Sequence, residues 1–446
     1  MWLYNKCWGF HTILVKKKTR NPVILLYLNC PETSKKNGVA CTMNSIMNIP
    51  GLKDCQVIKM EGRKGEILLY VEMEGKPHPC PDCGQLNNRV HDYRWQKVQH
   101  LKWFERMTYI WYKRRRYACA CGKRFSEKNT FVKRYQRTSI EWNQAVSVCA
   151  IKGKTFKEVG DVYGTSSTTI MRRFDQIAQT EVKQVESLPR VIAMDEYKGD
   201  TREGKYQLII ADGITKQPLD ILPNRNKKTI KDYLQRYGHH VQVVIMDMSP
   251  SFKAAVRSAL GNPVIVADRF HFCRYIYWGI DRVRRRIQQQ FHDYDRKKCK
   301  RKRYIFYKPQ NTLTEDDQWH LERYLNMSEE LKKAYELKER YQVWFNRAKE
   351  IGQEKIKEVK KELEAFYQVV EASGIPEMKQ AIETFRNWQV EILNSFVYGH
   401  SNGFLEGINN TTKVIKRNGY GYKNFKRFRA RILLRHQYKG MGLHIG

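Results

Sequence analysis

The stretch VQVVIMDMSPSF, residues 241–252, decides the fold. From Val243 to Met246 every residue is apolar, so neither face is marked for water, as in a strand covered on both sides. Asp247 follows at once, and Ser249 with Pro250 supply a cap and a first-turn proline for a helix. Working outward, RVIAMDEYKG (190–199) runs apolar from Val191 to Met194 and delivers Asp195. KYQLIIADGITKQPLDILPNR (205–225) reads as two strands around Asp212-Gly213, with a helix at about 227–237. PVIVADRFHF (263–272) is a further strand, ending in Asp268.

The order is strand, strand, strand, helix, strand, helix, strand, helix. It predicts a mixed five-stranded α/β sheet with helices on both faces, the order of a ribonuclease H-like core. Strand-end aspartates suit phosphodiester chemistry there. Two divalent ions about 3.5–4 Å apart activate an attacking oxygen and stabilise a leaving one. Magnesium takes hard carboxylate oxygens for that work. Asp195 and Asp247 can share such ions, and they need a third carboxylate from elsewhere. Glu196 should point to the opposite strand face and stays outside the set.

SNGFLEGINN (401–410) supplies a candidate. On one helix over 401–417, at about 100° per residue, Leu405, Ile408, Thr412 and Ile415 fall together to pack on the sheet. Glu406, Asn402, Asn410, Lys413 and Arg417 then share the other side, a carboxylate amid phosphate-binding groups, and Lys416 in the same basic run is a further DNA-binding candidate. An exposed glutamate paired with Lys413 is the plain alternative. Asp268 is expected to support, orienting His271 or Arg269, because its strand lies two places along; a ligand role stays open.

The whole chain fits a polyanionic partner. Its 446 residues carry 82 Lys+Arg against 46 Asp+Glu, a formal charge of +36, which points to nucleic acid first and an anionic membrane second. Aromatic content of 12% argues against wholesale disorder. The longest early apolar run, Val23 to Leu28, is far short of a membrane span, and Lys16–Lys18 interrupt any signal-peptide layout. Eleven cysteines then suggest thiols and metal ligands, and a cytoplasmic, nucleoid-associated protein is expected.

Two patterns announce DNA-binding modules. CPDCG gives Cys80 and Cys83, and CACGKRF gives Cys119 and Cys121, two thiolate pairs suited to tetrahedral Zn2+ in a ribbon. The second pair is C-x-C, tighter than usual, so His78 or His91 can replace one ligand. TFKEVGDVYGTSSTTIMRRFDQIAQ (155–179) has the layout of a helix-turn-helix. Phe156, Val159 and Val162 form an inner face, Gly164 makes the turn, and Ser166 or Ser167 caps the second helix. That helix turns Ile170 and Phe174 inward and offers Ser167, Thr168, Thr169, Arg172 and Arg173 to DNA.

Six segments follow from these readings. Residues 1–42 form an atypical leader, with Met43 as the expected natural start. Residues 43–135 form the zinc ribbon and 136–185 the helix-turn-helix. Residues 186–284 begin the ribonuclease H-like core, 285–395 are a helical insertion, and 396–446 carry the core's final helix and a basic tail. The fold class is therefore multidomain α+β.

Together CPDCG, CACGKRF, the helix pair, MDEYKG, MDMSPSF, ADRFHF and SNGFLEGINNTTKVIKRNGYGYKNFKRFRARILL (401–434) resemble the bacterial insertion-sequence transposases with a DDE triad, specifically the ISL-three family, over about residues 45–440. The resemblance implies binding of terminal inverted repeats, cleavage at the element's ends and joining to target DNA with Mg2+ or Mn2+. It places the triad at Asp195, Asp247 and Glu406. Synapsis of two ends implies a homo-oligomer on DNA. The alternatives are a non-catalytic zinc-ribbon regulator derived from such an element, and a nuclease that cuts without strand transfer.

Overall fold

In the computed structural model, residues 40–41, 52, 55–63, 65–152 and 155–438 are described. The leader read over 1–42 and the start at Met43 lie outside them, Ala40–Cys41 excepted. The chain divides into two units after Trp142.

In the first unit, β1 (Ala40–Cys41), β2 (Cys55–Arg63), β3 (Glu66–Met73), β6 (Val90–Trp103) and β7 (Arg106–Ala118) form a sheet ordered β1-β2-β3-β7-β6. A small hairpin of β4 (His78–Pro79) and β5 (Leu86–Asn87) stands apart, and β8 (Arg124–Ser126) pairs with β7. β6 and β7 join through Phe104 and Glu105, whose φ angles of 48° and 61° give the twist that a tight hairpin needs. Alternation buries Val98, Ile110 and Tyr112 on one face, with Val71 and Phe131.

Helix α1 (Ile140–Ile151) runs across the division. Within the second unit α2 (Phe156–Tyr163) and α3 (Ser167–Glu181) pack as a pair. Strands β9 (Val191–Thr201), β10 (Gly204–Asp212), β11 (Pro218–Leu222), β12 (Val243–Met246) and β13 (Val264–Ala267) then build a five-stranded sheet ordered β11-β10-β9-β12-β13. Its first three strands are antiparallel, while β9, β12 and β13 run parallel. This is the ribonuclease H-like arrangement.

Side-chain alternation gives the sheet two faces. Ile192, Met194, Val244 and Met246 meet α4 (Lys227–Tyr237), α5 (Pro250–Leu260) and α6 (Arg269–Ile287). That core continues without a break into helices α7 (Asp293–Arg301), α8 (Glu315–Asn326), α9 (Glu329–Ile351), α10 (Ile356–Ala372), α11 (Pro376–Asn387) and α12 (Gln389–Val397). The other face, with Val191, Ala193, Val243 and Ile245, is covered by α13 (Gly403–Asn418) and α14 (Phe425–Gln437). Leu405, Ile408 and Ile415 are buried there, each stabilising the cover by about 1.5–3 kcal/mol.

One strand differs from its sequence reading. β9 does not end at Asp195 but continues to Thr201, because β10 supplies ladder partners as far as Lys198 and Thr201. Asp195 instead marks the end of the portion that runs parallel to β12.

Candidate active site and nucleic-acid modules

Strand register sets three aspartates side by side. Met194 pairs with Met246 and Met246 with Ala267, so Asp195, Asp247 and Asp268 are the next residues on three adjacent strands. Alternation turns all three toward the face under α13. Asp268 lies two strands from Asp195, as expected, yet it is level with Asp247 and immediately beside it.

The ligand atoms of Asp247, Asp268 and His271 all lie within 4.8 Å of one another. His271 sits in the first turn of α6, with Nδ1 3.1 Å from Asp247 Oδ2 and Nε2 3.8 Å from Asp268 Oδ2. Arg274 Nη2 approaches the same Nδ1 at 3.3 Å. Burial holds the imidazole below its ordinary pKa. Asp268 does not orient Arg269, whose Nη2 donates to the Ser395 carbonyl.

Asp195 and Asp247 are held where charge is costly. Burial, with the Asp195 and Asp268 carboxylates next, pushes Asp247 up to about 8. Burial raises Asp195 to about 6, although the Glu196 backbone N–H donating to its Oδ1 at 2.7 Å works the other way. Asp247 Oδ1 is buried without a hydrogen-bond partner. An orphaned carboxylate oxygen among like charges is a fit for a hard divalent cation.

Helix α13 closes the site. Asn409 Nδ2 donates to Asp195 Oδ2 at 2.6 Å. Its N-cap, Asn402, donates its backbone N–H to Asp268 Oδ1 at 3.2 Å and its amide to the Met194 carbonyl at 3.4 Å. Glu406 is exposed on this helix, and its charge acts on His271. Glu196 points away and pairs with Arg225, as the strand parity requires.

Three residues read from this helix sit as follows. Asn402 is buried at the N-cap, just before the helix begins at Gly403. Asn410 is exposed and 3.5 Å from Lys413 Nζ, so Asn409, which the sequence reading passed over, is the asparagine that reaches the carboxylates. Lys416 is half-buried and tied to the Lys198 carbonyl and Asp200, leaving Lys413 and Arg417 as the exposed cations.

In the first unit Cys80, Cys83, Cys119 and Cys121 converge, with Sγ separations of 3.7 Å (Cys80–Cys121) and 3.5 Å (Cys83–Cys119). Four sulfurs at about 2.3 Å from one tetrahedral zinc stand about 3.8 Å apart, so the fit is close. Gly84 and Gly122 take φ of 74° and 85° to turn each knuckle. The histidine alternatives are not part of this group: His78 packs on the Tyr117 ring and His91 is exposed.

In the second unit α2 opens with a capping box between Thr155 and Glu158 and ends on left-handed Gly164. Ser166 caps α3. Ile170 and Phe174 are fully buried, while Val162 is exposed, since an eight-residue helix turns only Val159 and Phe156 to its partner. Thr168 and Arg172 are exposed on α3, and Ser167, Thr169 and Arg173 are half-buried.

Comparison with known proteins agrees with this order of parts. A family described as "Transposase" matches residues 192–432, across the sheet, the helical insertion, α13 and most of α14. The zinc finger of the IS204/IS1001/IS1096/IS1165 transposases matches 76–121, and the helix-turn-helix domain of transposase family ISL3 matches 127–178. The chain belongs to the ISL3 family of transposases.

This transposase is 25% identical over 377 residues to the transposase for insertion sequence element IS1001 of Bordetella parapertussis, spanning 82% of this chain and 90% of that protein. A 63-residue stretch is 44% identical to an ATP-dependent protease of Lactococcus lactis subsp. lactis, covering 14% of this chain and 20% of that protein. A match so short carries no argument about activity. The ISL3 transposase thus carries a DNA-binding helix-turn-helix and a zinc ribbon whose four cysteines cluster as a Zn2+ site requires, and it is a DNA-cleaving and DNA-transferring enzyme by family. Among its described residues no helix is long and apolar enough to cross a membrane.

Proposed function

We propose that this transposase cuts the terminal inverted repeats of its insertion sequence and joins them to target DNA at a site built from Asp195, Asp247 and Glu406, with Mg2+ or Mn2+. The observation that carries this reading is the register of β9, β12 and β13, which aligns three aspartates beneath α13. The donor set is all hard oxygen apart from His271, and Asp247 Oδ1 has no hydrogen-bond partner. Asp268 and His271, grouped so closely with Asp247, are candidate ligands in their own right.

When bound, the ions supply the charge that activates one oxygen and steadies another. The chain's own residues do the rest. Asn409 fixes the Asp195 carboxylate, and Asn402 fixes Asp268 through its backbone N–H. Lys413 and Arg417, exposed on the helix that carries Glu406, take the DNA phosphates. Thr168 and Arg172 read base edges at the element's end. Two ends must be held together, so a homo-oligomer on the nucleoid, in the cytoplasm, completes the proposal. A purely regulatory role is not favoured, because the family match runs through the whole catalytic sheet.

The test is cleavage of a labelled duplex carrying the element's end, in Mg2+, by wild type and Glu406→Gln side by side. Cutting by the wild type alone, with equal binding by both, supports the triad. Equal cutting by both removes Glu406 from it.

A further inference from the structure

The outer face of the first unit's sheet carries more aromatic surface than a solvated face requires. Alternation sends Val98, Ile110 and Tyr112 inward and leaves Trp95, Lys97, Tyr109 and Trp111 on the opposite side. Trp95 is 50% exposed, yet its ring is braced edge-on by Tyr70 at 5.8 Å and by Trp111 at 6.5 Å. Lys97 Nζ stands 3.9 Å from the centre of the Tyr109 ring. Exposed aromatics grouped with cations mark an interaction site more often than a bare surface.

A second wall faces this one. The segment after Tyr135 runs beside β6, fixed by Gln99 N–H to the Arg137 carbonyl at 2.8 Å and Ser139 N–H to the Gln99 carbonyl at 2.9 Å. Gln96 Nε2 adds a bond to the Gln136 carbonyl at 3.2 Å. Between strand and segment lies a cavity of about 620 Å³, bounded by Trp95, Lys97, Gln99, Tyr109, Tyr135 and Arg137 among others. That is within the size range of small-ligand clefts. Tyr135 is 88% exposed and holds φ at 64°, a left-handed conformation that a bulky residue adopts only with strain. Burial does not offset that strain. Its effect is to set an aromatic ring at the mouth of the cavity.

We propose that this cavity takes an unpaired base of DNA, stacked against Trp95 and Tyr135, with Lys97 and Arg137 on the flanking phosphates. A base offers the π-face that aromatic rings bind without regard to sequence, and the backbone on either side offers the anions. Paired bases inside a duplex keep their faces stacked on neighbours, so the ligand is a single strand or an extruded nucleotide. The proposal rests on the reading of this chain as an enzyme acting at DNA ends. It adds what the first unit grips once an end is opened.

The experiment measures fluorescence anisotropy of the full chain with a short labelled oligothymidylate and, separately, with a duplex carrying the element's end. The proteins are wild type, Trp95→Ala, Tyr135→Ala and Trp95→Phe, each checked for zinc content. Stacking worth a few kcal/mol per base predicts that each alanine variant loses about five- to a hundredfold in affinity for the oligothymidylate. Duplex binding and zinc content are expected to stay unchanged, and Trp95→Phe to retain most single-strand affinity. Wild type that binds the duplex but not the oligothymidylate overturns the proposal, as do alanine variants that bind it normally or lose duplex binding equally. Wild type that binds neither overturns the DNA-end reading itself.

Discussion

Asn409 and Asp195 stand 214 residues apart in sequence and 2.6 Å apart in space. The amide on α13 reaches the carboxylate on β9 and fixes the rotamer of an acid that burial would otherwise favour protonated. A hydrogen bond to a charged group is worth about 1.5–3 kcal/mol. Asn409→Ala is therefore expected to slow single-turnover cleavage by about ten- to a hundredfold while leaving duplex binding intact. Asn409→Asp sets a second acid against the first and should need more Mg2+ to reach the same rate. An alanine variant that cuts like wild type would show that the amide only packs.

Metal and pH should act on the fold together. Asp247 is raised to about 8 and Asp195 to about 6, both above the ordinary carboxylate value, so the metal-free native state binds more protons than the unfolded chain between them. By linkage, metal-free stability contributed by these acids is full below about pH 4 and falls as pH rises toward 8. A divalent ion needs the ionised form and opposes that fall. The rise in melting temperature on adding Mg2+ should thus be larger at pH 8.5 than at pH 6, and Asp247→Asn should flatten the difference. A gain independent of pH would place the ion elsewhere.

The helix-turn-helix is clamped to the catalytic unit's last helix. Arg427 donates Nε and Nη2 to the two oxygens of Asp175 at 2.9 and 2.7 Å, joining α14 to α3. Beside it Arg431 is buried, with Phe156, Phe174 and Tyr422 around its guanidinium. The first pair is partly exposed, so a double-mutant cycle over Asp175→Ala and Arg427→Ala should return no more than about 1 kcal/mol of coupling. Arg431→Ala removes buried packing against both helices and should cost several times that, about 2–4 kcal/mol in denaturant unfolding. Equal losses from the two arginines would contradict this ranking.

How much of this was legible depended on whether a feature was local. Strands β9, β12 and β13 announce themselves because runs such as Val243–Met246 have no polar face. The packing stripe of α13 follows from its own spacing, and Leu405, Ile408, Thr412 and Ile415 are all buried. The choice between Asn409 and Asn410 is different: it depends on how the helix rolls on the sheet, which no local pattern records. The burial of Asn402 is likewise beyond a helical wheel, because it precedes the first helical residue, Gly403. The nearness of Asp268 to Asp247 comes from strand register, which the sequence of β13 alone does not specify.

The zinc ribbon offers the last prediction. Cys119 and Cys121 are spaced more tightly than Cys80 and Cys83, which invites a histidine substitute, but the four sulfurs already converge, two cross-pair separations being 3.7 and 3.5 Å. Metal content should therefore be one Zn2+ per chain in wild type, His78→Ala and His91→Ala, and should fall sharply in Cys119→Ser and Cys121→Ser. Structural zinc contributes folding energy directly, and Cys80 and Cys119 are buried, so a strong chelator should melt this region and weaken end binding in parallel with zinc loss. The Mg2+-dependent gain in melting temperature belongs to the other unit and should survive in Cys121→Ser. Zinc retained by Cys121→Ser but lost by His78→Ala would reverse the ligand assignment.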